Sequence, residues 1–89
     1  MTGKTQISGK VRFTESIKLL TAVDEFAQAM KKRLLQKFIE EDFFGWDDPD
    51  LLPTILSDLH DDAHLLLKSN EPKEVDIANR AMFSWFQRR

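Results

Sequence analysis

Between Thr14 and Glu41 the chain contains neither glycine nor proline, and apolar residues recur at Leu20, Val23, Ala27, Met30, Leu34 and Phe38. Steps of three and four place these side chains on one stripe, so the spacing predicts a long amphipathic helix over about residues 15–41, capped by Thr14. The pattern stops in Asp42-Phe43-Phe44-Gly45-Trp46-Asp47-Asp48-Pro49-Asp50, where glycine and proline interrupt it and aspartates alternate with aromatics. A second stripe follows at Leu52, Ile55, Leu56, Leu59, Ala63 and Leu66, with Asp50 as its cap and Pro53 tolerated in the first turn. Ser69-Asn70-Glu71-Pro72 reads as a turn, and Pro72 suits the first turn of a third helix over about residues 72–87. The expected class is all-α, a three-helix hairpin.

Residues 1–13 hold two of the three glycines and show no helical period, so they read as a flexible arm ahead of a single all-α domain over 14–89. The first helix would be about 40 Å long and each partner only about 25 Å, leaving part of its stripe wet. On helix three, Val75, Ile77, Ala78, Ala81, Met82, Phe83, Trp85 and Phe86 cover an arc of about 240°, more than one contact face needs. Both features predict that the chain associates with itself, as a dimer or larger, to complete a helical-bundle oligomer.

The chain has no cysteine, which excludes disulfides and thiolate zinc sites. No apolar run approaches the roughly 20 residues of a membrane span, and the opening Met1–Phe13 is polar where a signal peptide is apolar, so a cytoplasmic protein with no membrane partner is expected. Charge is segregated. Residues 1–40 carry eight Lys/Arg and four Asp/Glu, residues 41–76 carry two and eleven, and residues 77–89 carry three and none. The acidic middle repels nucleic-acid phosphates, and the basic cluster Lys31, Lys32, Arg33 and Lys37 lacks interleaved aromatics, so it reads as a solvated helix face rather than a nucleic-acid surface.

Carboxylates facing one another across helices suit a divalent cation. On an ideal wheel Asp62 lies about 70° and Asp58 about 110° from the centre of the second stripe, whereas Asp61 points almost directly away. His60 and His64 share the opposite flank, at the i, i+4 spacing of a zinc pair but without the other ligands such a site uses; they read as surface residues. Asn79 sits inside the apolar arc of helix three and should be hydrogen-bonded, with Asp76 one turn earlier as its expected neighbour. No Ser-His-acid set can be assembled, so any hydrolysis would use metal-activated water.

Three segments together, Phe26-Ala27-Gln28-Ala29-Met30, Gly45-Trp46-Asp47-Asp48 and Asp76-Ile77-Ala78-Asn79-Arg80-Ala81-Met82, resemble the MazG-like family of all-α nucleoside triphosphate pyrophosphohydrolases, in its short phage and prophage branch. The similarity spans roughly residues 24–86. It implies an obligate helical oligomer in which four carboxylates, ExxE on one helix and ExxD on the next, hold magnesium or manganese against a nucleotide's phosphates. Asp61 and Asp62 match the family's paired glutamates with shortened side chains and Asp76 matches its final aspartate, while two of the four expected ligands are missing. Leu65 and Lys73 stand where further glutamates are expected, and Asp58 and Glu74 are the neighbouring acids able to substitute. Asn79, Trp46 and Lys73 are the residues placed toward nucleotide, with Phe43, Phe44 and Trp46 offering faces on which a base can stack. The resemblance thus implies a nucleotide-binding protein with a weakened pyrophosphohydrolase site. The alternative is a non-enzymatic phage-type helical oligomer that uses the same scaffold to bind and modulate a host protein.

Overall fold

A computed structural model describes residues 8–42 and 45–89. It is all-α: helix α1 spans Gly9–Glu41, a 3-10 turn Pro49–Leu51 leads into α2 over Leu52–Ser69, and α3 spans Glu74–Arg88, with no strand among the described residues. None of the helices among the described residues is long and apolar enough to cross a membrane.

The first helix starts earlier than its stripe suggests. Ser8, not Thr14, is the cap, its hydroxyl accepting from the Val11 N–H at 3.2 Å. Thr14 instead donates its hydroxyl to the Lys10 carbonyl at 3.0 Å inside the helix. Residues 9–13 of the expected arm are therefore helical, and the rest of that arm, residues 1–7, lies outside the described residues. Helix α1 ends at Asp42, whose backbone is left-handed at φ 47°. Gly45 is also left-handed, at φ 84°, a conformation that favours glycine, while a Cβ there would meet only the movable end of the Leu51 side chain, at 2.9 Å.

Asp48 rather than Asp50 is the capping aspartate of the second helical segment. Its carboxylate accepts from the Asp50 N–H at 3.0 Å and starts the 3-10 turn that runs into α2. Pro53 occupies the first turn of α2 as expected. Asn70, left-handed at φ 53°, ends α2, and α3 begins at Glu74, two residues after Pro72.

Helix α3 is the centre of the fold, packed against both α2 and α1. Phe83 is its anchor, 4% exposed, with the Trp46 ring 5.3 Å away; Trp46 also meets Phe86 edge-on at 4.9 Å, and its carbonyl accepts from Gln87 Nε2 at 3.0 Å. The 45–51 connection is thereby tied to the C-terminal end of α3. Helix α1, about 50 Å long by its residue count, sets the 49 Å long dimension of the molecule. Its second half meets α3, where the Met30 carbonyl accepts from Asn79 and Arg33 pairs with Asp76. Among the described residues the first half is uncovered, with Val11, Phe13, Ile17, Leu19, Leu20, Val23 and Phe26 between 40% and 67% exposed.

Candidate functional site

The three helices border a small hollow of about 70 Å³ lined by Leu34 and Lys37 of α1, Ile55 and Asp58 of α2, and Asp76, Asn79, Arg80 and Phe83 of α3. A second, more open groove of about 380 Å³ is lined by Ala29, Lys32, Arg33 and Gln36 of α1 with Pro72, Val75 and Asp76. Asp76 is common to both. Helical periodicity explains the convergence: Asn79 and Arg80 lie three and four residues after Asp76 on one face of α3, Phe83 lies one turn beyond them, and Arg33 and Lys37 are four residues apart on α1.

The carboxylates expected to face a metal face arginines instead. Asp76 Oδ1 accepts from Arg33 Nε at 3.1 Å, and Arg33 Nη1 also donates to Gln36 Oε1 at 3.3 Å. Asp62, 9% exposed, is paired with Arg80, which reaches it across the α2–α3 contact. Asp61 lies on the outer side of α2, its carboxylate 3.6 Å from His60 Nδ1, and both side chains are in solvent. Among the described residues no three His, Asp or Glu side chains gather into a group able to hold an ion. Within one chain, then, Asp62 and Asp76 are each paired with a guanidinium group and Asp61 faces solvent. Asp58 lines the hollow, but it is exposed, and Glu74 stands exposed in the first turn of α3.

The three residues expected at a nucleotide are dispersed. Trp46 is engaged with Phe83, Phe86 and Gln87 and lines an apolar groove with Leu35, Phe38 and Met82, not the hollow at Asn79. Lys73 precedes α3 and places its ammonium 4.0 Å from Glu71. Phe43 and Phe44 lie outside the described residues. Asn79 alone belongs to the hollow. It is 4% exposed and hydrogen-bonded as expected, its Nδ2 donating to the Met30 carbonyl at 3.4 Å across the α1–α3 contact, with Asp76 lining the same hollow. Its Oδ1 is buried without any partner. A carbonyl such as that of Met30 can only accept, so the amide nitrogen must face it and the oxygen is the atom left over.

Arg33, Lys37 and Arg80 are the members of the site that the charge pattern alone did not single out. Arg33 and Lys37 sit inside what reads as a solvated basic face, and only the contact of that face with α3 distinguishes them. Comparison with protein-family models, with curated proteins and with solved structures finds no match to this chain.

Proposed function

We propose that this chain is a MazG-like nucleotide-binding protein that holds its ligand without turning it over, with arginines in the role that a divalent cation plays in the family it resembles. The observation that carries the reading is the shared residue Asp76. It lines both a small hollow between the helices and an open groove bearing Lys32 and Arg33, and its own charge is answered by Arg33. The open groove suits phosphates, because arginine and lysine supply charge-assisted hydrogen bonds to phosphate oxygens without any metal. Calorimetry in the presence of a chelator should detect saturable binding of a nucleoside triphosphate, weakened about tenfold in Lys32→Ala. No binding rejects the reading. With manganese added, pyrophosphate release should not exceed that of an Asp76→Ala control; release above that control would restore the pyrophosphohydrolase alternative.

A second reading, the non-enzymatic helical oligomer, is favoured by the uncovered half of α1. On an ideal wheel Leu19, Val23 and Phe26 fall within about 40° of Met30, so the surface that meets α3 continues along the helix with nothing on it. The chain exposes 7324 Å², against about 5,400 Å² for a compact monomer of 10.4 kDa. The excess is more than the roughly 800 Å² per partner that a standard interface removes and is of the size of a large obligate one. A second copy is the simplest cover, and a host protein is the alternative. Light scattering at micromolar concentration should give at least twice 10.4 kDa, and Leu20→Glu with Val23→Glu should return the mass to that of one chain. A wild-type monomer throughout that range would refute self-association.

A further inference from the structure

Every residue from Ser8 to Phe26 is exposed, yet this stretch of α1 carries an ordered seam. Phe13, Leu20 and Ala27 recur at seven-residue steps with Ser16 and Val23 between them, the a and d positions of a coiled coil, and Ile17, Leu19 and Phe26 flank them at e and g. Of the exposed apolar residues here, Val11 alone falls on the outer face. Ser16, the polar member of the seam, already donates its hydroxyl to the Phe13 carbonyl at 2.8 Å, so it can enter a dry contact without an unmet donor.

We infer that this seam binds the same seam of a second copy, antiparallel, with the two-fold axis beside Lys18. This rests on the self-association reading above and goes further by fixing orientation and register. A stretch over 10–26 is covered from end to end by its own antiparallel copy only when the axis passes its midpoint, residue 18. The same axis sets a against d across the pair: Phe13 meets the partner's Val23 and Leu20 meets the partner's Ser16. Charge then selects it. Lys10 falls on the same flank as the partner's Asp24, twice by symmetry, and neither residue has an ion pair among the described residues. Moving the axis half a heptad toward the C-terminus sets Lys10 against the partner's Lys31 and Arg12 against the partner's Arg33, and drives the partner's Phe13 onto Met30, which already meets α3. A parallel pair in register leaves Lys10 and Asp24 without opposite charges.

The chain has no cysteine, so an introduced thiol reports only on its own surroundings. Under mild oxidation a mixture of Phe13→Cys and Val23→Cys chains should yield the mixed disulfide-linked dimer, identified by mass, while neither variant alone links to itself. In sedimentation equilibrium Lys10→Glu and Asp24→Lys should each weaken the dimer about tenfold, and the double variant should return to within about twofold of wild type. Self-linked Phe13→Cys or Val23→Cys chains, no mixed dimer, or a double variant no tighter than the singles would overturn the antiparallel seam while leaving self-association intact. A wild-type monomer at micromolar concentration would remove both.

Discussion

Replacing Phe83 by alanine lowers the stability of the fold by about 3–5 kcal/mol, the usual cost of emptying a buried aromatic site. A chain of this length has a total stability of roughly 4–13 kcal/mol, so the variant is largely unfolded or close to it at 37 °C. The effect is large because Phe83 anchors three things at once: it lies against Trp46, lines the hollow below Asn79, and sits on the helix that both other helices contact. Thermal unfolding by circular dichroism at one fixed chain concentration measures it. A loss under about 1 kcal/mol would mean that the core lies elsewhere.

The next largest effect belongs to the Asp62–Arg80 pair, whose side chains are 12% and 20% exposed. Removing Arg80 alone, as Arg80→Ala, leaves a carboxylate with little access to water and costs about 3 kcal/mol. Removing both charges together, as Asp62→Leu with Arg80→Met, recovers most of that loss, because the desolvation of both groups disappears along with their attraction. Denaturant melts of the two single variants and the double variant test this. A double variant as unstable as Arg80→Ala would show that the pair is a net source of stability and not chiefly a mutual neutralisation.

These two sites also separate what the sequence makes readable from what it does not. The stripes at Met30 and Leu34, at Ile55 and Leu59, and at Val75, Ala78 and Met82 follow from local spacing, and the three helices they predict are present. The placing of Asp62 beside the second stripe and of Asp61 away from it follows from the same geometry, and the side chains lie that way. What each carboxylate faces is a property of two helices. Arg33 and Asp76 are 43 positions apart, and Arg80 and Asp62 are 18 apart, so no window along the chain contains either pairing. Helix starts were misplaced for a local reason. Ser8 followed by Gly9 resembles arm more than cap, yet a hydroxyl reaching the Val11 N–H is enough to begin α1 there, and Gly9 then sits at the helix end where its low propensity matters least.

The projecting half of α1 ties order to abundance. Among the described residues, the stretch from Arg12 to Phe26 is kept helical by local bonds alone, its backbone ladder, the Thr14 and Ser16 hydroxyls on carbonyls of the preceding turn and an exposed Lys18–Glu15 pair, and a helix of that length without tertiary cover is marginal in water. When a partner covers them, mass action transfers the free energy of association to the helix itself. Amide hydrogens in this stretch then exchange rapidly in dilute protein and slowly in concentrated protein, while those around Phe83 are protected at both. Under the proposed self-association, the first helix is expected to grow in length as the protein accumulates.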